Sequence, residues 1–290
     1  TFDVCGWLTS LGSAFTELGH EVTSVVSEQD LNFNHSYNAY LTDLAGGKPL
    51  NEVGIHGENG ISRAIGWLER SHRRRKYVRN VQDLISRHDI VVKMWHPFIP
   101  KASENAFMRS QGKKLVQLFV GSDARYMPAF RQQYDVHHWS FPPEMDGDPD
   151  YQLSNIREAE LHADLIYSVI DQAGLQLRPF LHLHAPMDVG GFRFRIPGRD
   201  TPRIIHAPSI PWKKGTDIIE SAIDTLRSEG LDFEFISLRK VPHDELKEVL
   251  SDADILIDEI IYHGPGSLSL EAMLSGCAVA TRYLEDSPDC

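Results

Sequence analysis

Lys213 and Lys214 stand directly before Gly215-Thr216, where an apolar strand-like run, Arg203–His206, gives way to a helix-spaced one, Thr216–Arg227. A lysine in such a strand-to-helix turn can offer a phosphate both its cation and nearby backbone N–H groups. A cation at a helix start opposes the dipole by about 0.3–1 kcal/mol, which argues for a ligand that repays it. Gly264-Pro265-Gly266-Ser267 precedes another helix-spaced run, Leu268–Leu274. Its glycines allow close backbone approach, and the helix start is again suited to an anion. Glu271 lies one turn inside that helix, and its carboxylate can accept two hydroxyl hydrogen bonds, as a ribose would supply. Together these residues suit a nucleoside diphosphate whose leaving charge must be stabilised during group transfer. The residues alone also permit plainer roles: solvated lysines, Ser267 as an N-cap, and Glu271 as dipole compensation.

A second group lies in the first half. Ser122 and Asp123 follow the buried-strand pattern Lys114–Val120 and would sit at the carboxyl edge of a parallel sheet, where such folds bind ligands. Trp7, Thr9 and Ser10, after Gly6, would share that edge, as would Trp95 and His96. The metal candidates are weak. Asp252-Ala253-Asp254 joins a helix to an apolar strand, and His182-Leu183-His184 has no acidic ligand pattern beside it. The expectation is therefore no metal and no cofactor, with catalysis carried by Lys214, Glu271 and Asp123.

The elements that must position these residues alternate strand and helix. Phe2–Gly6 reads as a strand. Leu11, Ala14, Phe15 and Leu18 fall at helical spacing before Gly19, and Glu21–Val26 is a β-branched strand. Gly6–Ser10 would be the first strand-to-helix turn. Asn32–Asn59 reads as loop, and Ile61 to Ile85 as helix. Asp89–Met94, Lys114–Val120, Asp164–Ile170 and Leu181–His184 read as strands, and Ser154–Ala163 as a helix after the turn-rich Phe141–Asp150. A second unit begins near Thr201. It has strands at Arg203–His206, Phe233–Ser237, Asp254–Asp258 and Cys277–Thr281, and helices at Thr216–Arg227, Asp244–Leu250 and Ser267–Leu274. The pattern predicts an α/β protein with two doubly wound Rossmann-like domains facing a cleft, residues 1–195 and 198–290, joined by a linker around 192–200.

The chain has 290 residues and a net charge of −12, which disfavours a general nucleic-acid binder and leaves any anionic ligand to a local cation. The exception is a basic helix. Arg63, Arg70, Arg73, Arg74, Arg75, Lys76 and Arg79 oppose only Glu69 within 63–79. With Ile65, Trp67 and Leu68, the segment Arg70–Arg79 could lie on an anionic bilayer, or be a solvated face. No stretch approaches the roughly 18 apolar residues of a spanning helix. Three cysteines, Cys5, Cys277 and Cys290, form no paired spacing. A cytoplasmic location, with peripheral contact on the inner membrane face as an option, follows. Thr1 is no start methionine, and Cys290 comes soon after a strand-like run, so the second domain reads as incomplete.

Four segments together carry a resemblance: His206–Thr216, Leu238–Glu245, Ala253–Glu259 and Gly264–Gly276. The set resembles the carboxy-terminal domain of GT-B glycosyltransferases, in particular a bacterial branch of the retaining family four. Leu18-Gly-His-Glu-Val22 and Gly121-Ser-Asp-Ala-Arg125 are similar to segments of that family's first domain. The resemblance spans about Phe2 to Thr281. It implies metal-independent transfer of a hexosyl group, with retention, from a nucleotide diphosphate sugar to a hydroxyl acceptor. It also implies a donor site of Ser209, Lys213, Lys214, Arg239, Val241, Glu259, His263, Gly264, Pro265, Gly266, Ser267 and Glu271. The acceptor, a glycan, a lipid-linked sugar or a small molecule, would meet Trp7, Thr9, Ser10, Ser122 and Asp123. Two positions depart from the family pattern: His263 replaces its first motif Glu, and Pro208 a frequent Arg. A nucleotide-sugar epimerase on the same fold and a non-catalytic sugar-nucleotide binder are the alternatives.

Overall fold

The computed structural model describes residues 6–26, 37–44, 60–94, 97–99, 103–133, 148–169, 175–261 and 264–283, and gives residues 39, 60–66 and 133 as backbone. Their elements are α1 (Trp7–Glu17), β1 (Val25–Val26), β2 (Ala39–Tyr40), α2 (Leu41–Leu44), α3 (Gly60–Ser86), β3 (Ile90–Met94), α4 (Ser103–Ser110), β4 (Lys114–Phe119), α5 (Met127–Gln133), α6 (Pro149–His162), β5 (Leu165–Ser168), β6 (Leu181–His182), β7 (Arg203–His206), α7 (Pro211–Lys214), α8 (Thr216–Ser228), β8 (Glu234–Ser237), α9 (His243–Ser251), β9 (Ile255–Ile257), α10 (Ser267–Leu274) and β10 (Ala278–Ala280). They fall into two compact units. The first takes the described residues up to Tyr126 with 148–184. The second takes α5 and the residues from Ala185 onward.

The first unit carries a four-stranded sheet in the order β3-β4-β5-β6, every pair parallel. The pleat of β4 divides its side chains between two cores. Leu115 and Phe119 face a cluster with Tyr77, Val81 and Ile85 of α3, Met108 of α4 and Ile156 and Ala159 of α6. Val116 and Leu118 face the other cluster, where Trp7, Leu8 and Leu11 of α1 pack with Met94 and Leu183. Helices thus cover both faces, the doubly wound arrangement.

The second unit repeats the design with the order β10-β9-β7-β8, again all parallel. Ile205, Leu256 and Cys277 pack with Leu250 and Ala272 on one side. Ile204, Ile255 and Ile257 pack with Ile219 and Ile223 of α8 on the other. In α8 those two isoleucines recur at i, i+4 on one face. Each such side chain, once buried, contributes about 1.5–3 kcal/mol.

Several sequence expectations need correcting. The strand expected over Glu21–Val26 shortens to β1, which pairs in parallel with β2 in its own two-stranded sheet. β2 and α2 lie inside the stretch read as loop. Helix α1 begins at Trp7 after Gly6 at φ 75°, so Trp7, Thr9 and Ser10 are helical rather than in a turn. Helix α6 begins within the turn-rich segment. Asp148 caps it by accepting from the amides of Asp150 and Tyr151, and Pro149 fills the first helical position. Helices α4, α5 and α7 were not expected. The expected first strand lies outside the described residues.

A buried ion pair was also not expected. Lys93 of β3 donates to Glu104 at 2.9 Å and Asn105 at 2.7 Å, and all three are nearly inaccessible. Glu104 also accepts from the amides of Phe98 and Ile99, so the pair fastens the β3–α4 connection. Burial pulls the Lys93 ammonium below its usual range, with Glu104 opposing it.

Candidate functional site

β7 leads through α7 and α8 to β8 on one side, while β9 lies on its other side. The carboxyl ends of β7 and β9 therefore form a topological switch point, the default ligand position of an open parallel sheet. Both ends carry the residues that the sequence singled out.

Lys214 is the last residue of the one-turn helix α7, not a plain turn residue. Pro211 starts that helix, and Gly215 ends it at φ 77° while opening α8. A Cβ on Gly215 would fall 2.5 Å from Ile260 Cγ1, so only glycine lets the connection press against the loop after β9. The Ile260 amide donates to the Lys214 carbonyl at 3.4 Å. The fold thus aims Lys214 at Asp258 and Glu259. Its ammonium donates to Asp258 Oδ1 and to Glu259 Oε2, each at 2.9 Å. Burial pulls the Lys214 pKa down, but the two carboxylates outweigh it and hold it well above the usual lysine range. The second Asp258 oxygen accepts the Ser269 hydroxyl at 2.7 Å, joining the cluster to the first turn of α10.

Gly266 caps α10 without a side-chain bond to the helix amides. A Cβ there would lie 3.1 Å from Asp258 Oδ2 and 3.4 Å from the Lys214 ammonium. The Gly264–Ser267 loop and the lysine therefore converge, as a phosphate site requires. Glu271, in the second turn, is buried and shares a 2.7 Å hydrogen bond with His243 Nε2 at the start of α9.

His206 closes the back of the switch point. Its ring nitrogens meet the Ile257 carbonyl at 2.8 Å and the Thr216 hydroxyl at 2.9 Å. The carbonyl can only accept, which assigns the proton to Nδ1 and leaves Nε2 to accept from Thr216. Burial depresses the His206 pKa, with the Ile257 carbonyl opposing, so the ring is a neutral brace.

The remaining candidates disperse. Ser209 is exposed in the β7–α7 connection, and Lys213 lies 5.5 Å from the Trp212 ring centre. Arg239, after β8, pairs with Glu220 at 3.2 Å on the surface, and Val241 follows it half-buried. His263, Trp95 and His96 lie outside the described residues. Asp252 and Asp254 are taken by arginines: Arg195 bonds Asp254 at 2.9 Å, and Arg199 and Arg203 bond Asp252. The Arg199 hydrogen bond depresses the Asp252 carboxyl most. For Asp254, burial opposes but the Arg203 amide and Arg195 prevail. These arginines also fasten residues 192–200 to the second unit, where the Arg195 amide donates to the Ser275 carbonyl at 3.0 Å. The rings of His182 and His184 lie 4.2 Å apart, against one another. Among the described residues no group of three or more His, Cys, Asp or Glu is placed to hold a metal.

Asp123 belongs to the first unit with Ser122, Trp7, Thr9 and Ser10. Its carboxylate turns back on its own loop, accepting from the amides of Val120 at 3.0 Å and Gly121 at 2.7 Å. Burial pushes its pKa up to about 6 against those amides. Ser122 is exposed, and its carbonyl and that of Arg125 accept from the buried Gln152 at 2.6 and 2.8 Å. Sequence reasoning missed His243, His206, Ser269 and Gln152. Asp258 stood beside Glu259 in the quoted motif and was the only available signal for the second carboxylate.

No protein-family profile and no curated protein sequence matches this chain. Solved structures do. A crystal structure of Anabaena HepE in complex with UDP-glucose aligns with a TM-score of 0.44 at 12% identity over 77% of this chain and 70% of that one. The spinosyn forosaminyltransferase SpnP aligns with a TM-score of 0.41 at 14% identity over 98% and 77%. WaaG, a glycosyltransferase of lipopolysaccharide biosynthesis, aligns with a TM-score of 0.39 at 12% identity over 94% and 75%. These likenesses reach no individual site residue, and the functional reading rests on this chain's own geometry.

Proposed function

We propose that the chain is a GT-B glycosyltransferase whose second unit binds a nucleotide diphosphate sugar at the β7/β9 switch point. The observation that carries this is the convergence of the Lys214 ammonium and the start of α10 on Gly266. Lys214 and the amides of Gly266–Ser267 would take the charge that grows on the leaving diphosphate, so the transfer needs no metal. Glu271 would bind the ribose hydroxyls. The residues after β8, Arg239 to Val241, would border the base. The transferred group is a hexosyl unit, moved with retention to a hydroxyl of a glycan, a lipid-linked sugar or a small molecule. The acceptor would meet Trp7, Thr9 and Ser10 of α1, and Ser122 with Asp123, whose carboxylate holds their loop in shape. Incubation with a panel of labelled nucleotide sugars and hydroxyl acceptors, with chelator present, tests the reading. Acceptor-dependent release of nucleoside diphosphate is the expected result. A sugar product formed without acceptor would indicate an epimerase instead, and loss of transfer on chelation would contradict metal independence.

A cytoplasmic protein with peripheral membrane contact through Arg70–Arg79 completes the proposal. Helix α3 is anchored by Tyr77, Val81 and Ile85, while Leu68, Arg75, Lys76 and Arg79 are exposed. At 100° per residue those four share an arc away from the anchored stripe. No described helix is long and apolar enough to cross a membrane. Binding to vesicles should require anionic lipid and fall steeply from low to physiological salt, since exposed attraction is screened within about 8–10 Å. Indifference to anionic vesicles at low salt would make α3 a solvated face.

A further inference from the structure

Asp258 stands between Lys214 and the start of α10. Its amide donates to the Ala280 carbonyl at 3.0 Å, which holds the end of β9 against β10. Its side chain is 1% exposed. One oxygen, Oδ1, accepts from the Lys214 ammonium at 2.9 Å, and the other, Oδ2, accepts from the Ser269 hydroxyl at 2.7 Å. A Cβ on Gly266 would fall 3.1 Å from the same Oδ2, so the carboxylate lies against the backbone that opens α10.

Ser269 is the third residue of α10 and is fully buried. Helical serines commonly turn the hydroxyl back to a carbonyl of their own helix. Ser86, Ser251 and Ser275 do so here, bonding Gln82, Lys247 and Glu271. Ser269 instead reaches across to the end of β9. A lysine ammonium rides on a flexible four-carbon stem, so its place is set by what holds its end. Asp258 holds the ammonium on one side and the first turn of α10 on the other. Two groups that must meet one anion together work best when held in register before it arrives.

We propose that Ser269 is a positioning residue of the donor site: acting through Asp258, it locks the Lys214 ammonium to the start of α10, so that both meet the same diphosphate. The proposal rests on the diphosphate reading of the site given above. Ser269 tests it more cleanly than Asp258. Replacing Asp258 removes an anion from beside a bound anion, and that change in charge would mask a loss of placement. Ser269→Ala removes the tie at constant charge.

UDP, ADP, GDP, CDP and dTDP are the probes, and the one bound most tightly by the full chain is carried through the series. Its affinity is measured by isothermal titration calorimetry, and by phosphorus NMR titration where binding is weak, for the full chain, Ser269→Ala, Ser269→Thr, Lys214→Ala and the Ser269→Ala/Lys214→Ala double variant. Ser269→Ala should weaken binding at least about three-fold, within the range for coupled members of one hydrogen-bond network. Ser269→Thr, which keeps the hydroxyl, should stay within about two-fold of the full chain. In the Lys214→Ala background Ser269→Ala should change affinity less than about two-fold, because no ammonium is left to place. Binding that Ser269→Ala leaves unchanged overturns the positioning role and leaves the diphosphate site standing. Equal losses in both backgrounds, or a threonine variant as weak as the alanine one, also overturn it and make Ser269 a packing residue of α10. Absence of any diphosphate binding by the full chain overturns the diphosphate reading, and the positioning role with it.

Discussion

Glu271 and His243 are 28 positions apart in the chain and share a 2.7 Å hydrogen bond. His243 opens α9 and Glu271 lies in the second turn of α10, and the contact between these two helices brings the ring nitrogen and the carboxylate together. The pairing orients the Glu271 carboxylate, and in the proposed site its other oxygen would meet a ligand hydroxyl. Glu271→Gln should therefore weaken ribonucleoside diphosphates more than their 2′,3′-dideoxy analogues in a direct binding assay. Equal losses for both would make Glu271 a structural partner of His243. Lys214, Gly266 and Glu271 were legible in the sequence because their signals are local, namely a cation, a glycine loop and a carboxylate at fixed offsets from helix starts. Their partners were not. Asp258, Ser269 and His243 act through contacts 11 to 44 positions away, and only the sheet order decides which of the chain's many carboxylates, hydroxyls and imidazoles arrive there.

The β4-to-α5 connection shows how an element end can hold chemistry for structural reasons. Asp123 accepts from the amides of Val120 and Gly121 while buried, and its pKa rises to about 6 because burial outweighs those bonds. A carboxyl whose folded pKa lies above its unfolded value of about 3.9 contributes stability that is full below that value. That contribution is lost as pH rises through about 6, on the order of 3 kcal/mol by neutrality. Carboxyl carbon chemical shifts should show Asp123 titrating near pH 6, and a midpoint near 4 would contradict the burial argument. Among the elements, the strands of both four-stranded sheets could be read from short runs rich in apolar residues, such as Ile90–Met94 and Ile255–Ile257. Helices α4 and α5 could not, because Ser103–Ser110 and Met127–Gln133 are short and no glycine loop marks their starts as Gly264–Gly266 marks that of the equally short α10. The segment around β2 and α2 was lost to its Asn- and Gly-rich composition, and β2 has only two residues.

At the scale of the molecule, strand–helix alternation was enough to foresee two parallel sheets covered on both faces. The order β10-β9-β7-β8 was not foreseeable, because periodicity carries no information on which strand lies beside which. That order creates the switch point and brings Lys214 to Asp258. A chain of net charge −12 repels an anionic ligand at long range, so the local cation must carry the recognition. The proposed donor site therefore depends on Lys214 meeting a diphosphate. Titration calorimetry of the chain and of Lys214→Ala, with nucleoside diphosphates of each base and with the matching nucleosides, tests it most directly. A charge-assisted phosphate bond is worth about 1.5–3 kcal/mol, so Lys214→Ala should weaken the preferred diphosphate about 10- to 150-fold and leave its nucleoside unchanged. Equal loss for diphosphate and nucleoside, or no diphosphate bound by the unaltered chain, would overturn Lys214 as a phosphate contact.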